Sequence, residues 1–124
     1  MAVTLVWIVG GAVIALLLMR RTASASPEAL RQYVQQGAMV IDVRTPAEYR
    51  GGHVSKSVNI PLDDLGVQVP RWVPDKSQVL LLHCQSGMRS RNGQRQLQRL
   101  GYTNVFNLGS LAQARTICDP SNRH

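Results

Sequence analysis

The apolar residues of this chain are unevenly spread, and that unevenness limits every fold it can adopt. Of 55 apolar positions in 124 residues, 16 fall within the first 19, a stretch that carries no charged side chain. The other 39 lie among residues 22–124, the proportion of an ordinary soluble domain. One core must therefore be built from about 100 residues, enough for a single domain and no second.

Ala2 to Met19 would span roughly 27 Å as a helix, close to a hydrocarbon thickness of about 30 Å. Arg20 and Arg21 follow this stretch, whereas a cleaved signal peptide carries its positive charge ahead of it. The expectation is a single-pass transmembrane anchor over residues 1–21, inserted through residues 2–19. Retention of positive flanks in the cytoplasm puts the N-terminus outside and the domain inside. The alternative is export after cleavage near Ala25, where Ala23-Ser24-Ala25 resembles a small-residue cleavage site. Residues 22–26 then read as a linker, 27–118 as the globular domain and 119–124 as a tail.

The net charge is +7, of which residues 22–124 hold +5. With six aromatic residues and no interleaved Lys/Arg run, nucleic acid is excluded as a partner, leaving a membrane surface or a small anionic substrate. Two cysteines, Cys84 and Cys118, build neither a disulfide scaffold nor a four-thiolate zinc site. No histidine pair has metal-ligand spacing, so neither metal nor cofactor is expected.

Ser26 as N-cap and Pro27 at the first helical position predict a helix to about Gln36, stopped at Gly37. Met39–Val43 reads as a buried strand, and Thr45-Pro46-Ala47-Glu48 as a capping box opening a short helix that Gly51-Gly52 ends. Val58–Ile60 is a short strand, Leu62–Leu65 a helical turn, and Gly66–Lys76 a loop carrying Trp72. Val79–His83 is the strongest strand, Arg89–Leu100 a helix closed by Gly101, Val105–Asn107 a strand, and Leu108 to about Ile117 a last helix. Strands alternating with helices predict an α/β domain on a mainly parallel sheet with helices on both faces.

Between the strongest strand and the long helix lies Cys84-Gln85-Ser86-Gly87-Met88-Arg89. Ligands of parallel sheets bind beyond the carboxyl ends of the strands. There, converging backbone N–H groups and the positive end of the following helix favour a thiolate at Cys84. Gly87 permits the tight turn that closes the ring, and Arg89 adds a cation at the mouth.

With Asp42-Val43-Arg44 before it, and Gly52-His53-Val54 and Asn59-Ile60-Pro61 between, this loop resembles that of single-domain rhodaneses, which are sulfurtransferases. The resemblance covers residues 28 to about 112 and implies a rhodanese-like fold. It also implies a persulfide carried on Cys84, held by the main chain of Gln85 to Arg89, with Asp42 supporting the site and Arg44 beside it binding substrate. The chain departs from the family at Ser55-Lys56-Ser57, where a proline, glycine and alanine turn is usual. It departs again at Gly109-Ser110, where a double glycine is usual, and lacks a tryptophan shortly after. Cysteine phosphatases place five residues between Cys and Arg; here four intervene, a cradle sized for one terminal sulfur.

The resulting expectation is ping-pong transfer of a sulfane sulfur from a small anionic donor such as thiosulfate to a thiol or cyanide acceptor. The alternative is a non-catalytic rhodanese-like binding or redox-sensing module at the membrane. His83 reads as packing or surface, His53 as a turn residue, Cys118 as an idle thiol and Trp72 as ordinary packing. Arg91, Arg95 and Arg99 form one basic helix stripe, a solvated face with a second reading as a lipid contact.

Overall fold

The computed structural model describes residues 24–119. The leader read as a membrane span lies outside them, as do tail residues 120–124; among the described residues no helix is long and apolar enough to cross a membrane. The chain order is α1 (Pro27–Gln35), β1 (Met39–Asp42), α2 (Pro46–Arg50) and β2 (Val58–Asn59). A 3-10 turn (Leu62–Asp64) follows, then α3 (Leu65–Trp72), β3 (Leu80–His83), α4 (Met88–Arg99), β4 (Val105–Gly109) and α5 (Leu111–Cys118). The strands pair in the order β2-β1-β3-β4, and every pair is parallel.

Local chemistry accounts for where the helices start. The Ala29 N–H donates to Ser26 Oγ at the head of α1, with Pro27 in the first turn. In α2 the Glu48 N–H donates to Thr45 Oγ1 while the Thr45 N–H donates back to Glu48 Oε1, completing the box. Alternation along the strands then sorts the side chains. Ile41, Leu80 and Leu82 join Leu65, Val69 and Leu97 on one face of the sheet; Val40, Leu81 and Phe106 join Leu30, Ala114 and Ile117 on the other. Helices therefore cover both faces, with α3 and α4 on the first and α1 and α5 on the second. Gly93 lets α4 lie close: a β-carbon there would stand 2.7 Å from Leu65 Cδ1 and 3.0 Å from Leu82 Cδ2.

Three expectations need correction. Residues 65–72 form a helix, not a loop. Leu65, Val69 and Val73 recur every four residues and bury one face. Pro70 sits in the last turn, where its missing N–H forfeits a single bond. The last strand also runs on to Gly109, so α5 begins at Leu111 rather than Leu108. Ser110 caps it in a second box with Gln113, a signal that stands in the sequence at the same spacing as Thr45 and Glu48. Trp72, expected to pack, is 58% exposed.

Candidate active site

The loop after β3 is shaped by its neighbour β4. Pairing slips between Leu82 and His83, so that His83 faces Gly109 and Leu108 is skipped. The slip lets the Cys84 N–H donate to the Gly109 carbonyl at 3.2 Å and the Leu111 N–H donate to the Gln85 carbonyl at 3.3 Å. A bridge between Ser86 and Ser110 closes this seam. Gly87 then turns at φ +98°, a left-handed conformation that costs a residue with a side chain about 1–2 kcal/mol. Its N–H is thereby aimed at Cys84 Sγ, 3.0 Å away.

Cys84 is fully buried. Burial pushes its thiol up, but the Ser90 hydroxyl and the backbone N–H groups of Ser90, Gly87 and Ser86 pull it down further, leaving it below its ordinary value. The Ser90 hydroxyl stands 3.5 Å from the sulfur and 2.7 Å from Asn107 Oδ1. Asn107 is oriented by the Gly109 N–H donating to Oδ1 and by its own Nδ2 donating to the Gly87 carbonyl. The same hydroxyl stands 3.1 Å from the Gly87 carbonyl; with one proton for these three acceptors, it can turn to the sulfur when that carries charge.

Beneath the loop lies a buried polar brace. Asp42 accepts from the Arg44 N–H, Nε and Nη2 at 2.8–3.1 Å. Arg44 also donates to the Gly52 carbonyl at 2.8 Å and to Gln85 Oε1 at 3.3 Å. Arg44, expected to bind substrate, is thus buried and committed on all three nitrogens; it ties β1, the turn after α2 and the sulfur loop together. Asn59 donates to the carbonyls of Asp42 and Arg44, and His53 is a turn residue, its Nδ1 2.8 Å from the Tyr49 carbonyl.

His83 is buried opposite Cys84, as strand alternation requires, with Nδ1 3.3 Å from the Cys84 carbonyl and Nε2 3.7 Å from Asp42 Oδ2. Burial holds its pKa below the usual histidine value, more than Asp42 raises it.

At the rim, Arg89 is less free than expected. Its two terminal nitrogens grip both oxygens of Glu48 at 2.7 and 3.0 Å. The bidentate Arg89 bond, helped by the Thr45 N–H, holds the Glu48 carboxyl down to about 2. Gln85, Ser86 and Met88 are exposed around the mouth, Met88 by 78%. The loop thus places Cys84, Gly87 and Ser86 together, and three further residues that sequence reasoning missed join them. Ser90 follows Arg89 directly, Asn107 is a polar residue inside an apolar strand, and Glu48 carries in the sequence only the signature of a helix cap. Among the described residues no three His, Cys, Asp or Glu side chains gather to hold a metal. The site can stabilise an anionic sulfur and offer it to a small electrophile.

Comparison with known proteins finds relatives that share this fold. The rhodanese-like domain model matches residues 26–113. The thiosulfate sulfurtransferase PspE of Escherichia coli is 38% identical over 71 residues, covering 57% of this chain and 68% of that protein. Two further curated relatives, from Synechocystis and Bacillus subtilis, are matched over 46% and 55% of their lengths. Among solved structures, a rhodanese with anions from E. coli superposes with a TM-score of 0.60 at 35% identity, covering 62% of this chain and 91% of that one. The human single-domain sulfurtransferase TSTD1 superposes at 0.62 with 25% identity, covering 73% and 92%.

Proposed function

The chain belongs to the rhodanese-like domain family and is a rhodanese-type sulfurtransferase, and from that premise we propose that it moves a sulfane sulfur from a small anionic donor to a thiol or cyanide acceptor through a persulfide on Cys84. The observation that carries this reading is the Gly87 N–H and Ser90 hydroxyl aimed at a buried Cys84 sulfur. In the first step the Cys84 thiolate bonds to the outer sulfur of a donor such as thiosulfate. The donor's S–S bond breaks and sulfite leaves with its electron pair. In the second, the acceptor bonds to that outer sulfur and the Cys84 thiolate is regenerated. The N–H groups of Ser86, Gly87 and Ser90 hold negative charge on sulfur throughout, with no separate base.

Arg89 contributes only the charge that Glu48 leaves uncompensated, so its removal weakens anionic donors without stopping the chemistry. The test is intact-mass analysis after incubation with thiosulfate. A gain of one sulfur atom in the wild type, absent from Cys84→Ala, is the expected result; equal gains in both sink the assignment.

We also propose that residues 2–19 anchor the domain in a membrane with the N-terminus outside and the domain in the cytoplasm. The length of the stretch and the two arginines after it support this. Recovery of the full chain in a carbonate-washed membrane fraction is expected; recovery of a shortened chain starting near Ser26 points instead to export after cleavage.

A further inference from the structure

A groove of about 640 Å³ begins at the sulfur loop and runs down the outer face of α4. Gly87 and Met88 form its head, and Arg91, Arg95 and Arg99 line its length, one per helical turn. The eight residue steps from Arg91 to Arg99 carry the stripe about 12 Å along the helix axis. No carboxylate lines the groove, and none pairs with these three guanidiniums among the described residues. The other two arginines at the site are spent, Arg44 on Asp42 and Arg89 on Glu48. Uncompensated positive charge beside the sulfur loop is thus concentrated on this track.

We propose that the groove docks an acidic polypeptide serving as the sulfur acceptor, its cysteine reaching Cys84 while flanking Asp or Glu side chains lie against Arg91, Arg95 and Arg99. This rests on the sulfurtransferase reading above. The length of the track exceeds what a small sulfur anion can occupy. Met88 stands exposed at its head, and methionine with arginine is the composition that protein interfaces favour. A bilayer is a poorer occupant, because a flat surface laid on α4 would close the adjoining loop to aqueous donors. In the transfer, the acceptor thiolate bonds to the outer sulfur of the persulfide. The S–S bond to Cys84 breaks and its electron pair returns to Cys84 Sγ, so no oxidant is consumed.

The test uses the full chain loaded with thiosulfate and follows single-turnover loss of the persulfide by mass. Two peptides of equal length, each with one cysteine flanked by glutamates or by glutamines, serve as acceptors. The glutamate peptide is expected to discharge the persulfide roughly tenfold faster at low salt, with the advantage lost at high salt. The triple variant Arg91→Glu, Arg95→Glu, Arg99→Glu should abolish that preference, and the milder triple change to Gln should reduce it. At high salt, where the field of the stripe is screened, discharge by cyanide in both variants should stay within roughly twofold of wild type, since the cradle is untouched. Equal rates for the two peptides, or a preference that survives charge reversal, overturns the proposal. So does a peptide preference that the full chain shows in phosphatidylcholine vesicles but loses in phosphatidylserine vesicles, which would make lipid the occupant of the stripe. Failure of the wild type to load sulfur, or of cyanide to discharge it, would instead count against the parent reading.

Discussion

The two cysteines of this domain differ in a way that burial alone does not explain. Cys118, at the end of α5, is partly buried, and burial pushes its thiol up to about 11. Cys84 is more deeply buried by exposed area, yet its thiol lies below the ordinary value. Desolvation acts on both in the same direction. The difference is the set of donors around Cys84: three backbone N–H groups and one hydroxyl, all delivered between Ser86 and Ser90. Reactivity in this fold is a property of loop geometry, which a buried thiol without donors lacks.

The largest expected effect sets the two thiols directly against each other. Cys84→Ala should lose all sulfur loading from thiosulfate, and Cys118→Ala should retain it. Competitive alkylation at neutral pH, read by peptide mass, should mark Cys84 at least about tenfold faster than Cys118. Because Cys84's pKa is lowered, its alkylation should fall only as pH drops through that lowered value. Cys118 should gain reactivity only as pH climbs toward about 11. Matching pH profiles would erase the comparison.

The next effect attacks the turn itself. Gly87→Ala places a side chain at φ +98° and sets its β-carbon 3.4 Å from Gly109 Cα. The backbone strain of about 1–2 kcal/mol is relieved by rotating the Gly87 N–H away from the sulfur. Loading should slow by roughly tenfold and the Cys84 pKa should rise toward that of a thiol lacking donors, without reaching Cys118's. An unchanged thiolate titration in a folded Gly87→Ala protein would show that this amide is not what separates the two cysteines.

What the sequence made legible follows the same division between local and distant chemistry. Cys84, Ser86 and Gly87 stand together in one loop, so their spacing alone announced a cradle. The capping boxes at Thr45 and Ser110 are equally local, although only the first was noticed. Glu48 meets Arg89 across 41 residues and Asn107 meets Ser90 across 17. Strand order and the slip beside His83 decide those meetings, and no window of sequence contains either. Arg44 shows the same limit: its position next to Asp42 was visible, but its reach to Gln85 and Gly52 depends on how β1 and β3 pair. The missed helix α3 is a different case. Leu65, Val69 and Val73 stand at helical spacing, and Pro70 in the last turn removes only one bond, so this helix lies within reach of the sequence pattern.

Ser90→Ala should slow loading less than the turn mutation, because it removes one donor but leaves in place the turn that aims the other three. The Cys84 pKa should rise and loading should slow by a few-fold, while Cys118 titrates as before. Removing the hydroxyl also strips a partner from Asn107 Oδ1, which keeps the Gly109 N–H. The stability loss should therefore stay near 1 kcal/mol in urea unfolding. Ser90→Thr, which keeps the hydroxyl, should restore the titration if the donor rather than the packing is responsible.

The smallest effect comes from the rim. Glu48 offsets the Arg89 charge, and that guanidinium feels Cys84 as well as Glu48. Glu48→Gln keeps a hydrogen-bonding amide in the cap but frees the cation, so the Cys84 thiol should fall slightly further while Cys118 stays where it is. Loading by thiosulfate, a dianion, should rise by about two- to threefold at low salt and return to the wild-type rate at high salt. Both side chains are about one-third exposed, so the pair contributes only about 0.5 kcal/mol to stability. The Glu48 carboxyl sits near 2 in the fold against 4.5 unfolded, so the unfolded chain takes up its proton first as pH falls. That small stabilisation is complete above pH 4.5 and disappears between 4.5 and about 2. Acid titration of wild type and Glu48→Gln should diverge only above that window's lower edge, and a gain in thiosulfate loading that persists in high salt would mean Glu48 acts by holding the cap rather than by cancelling charge.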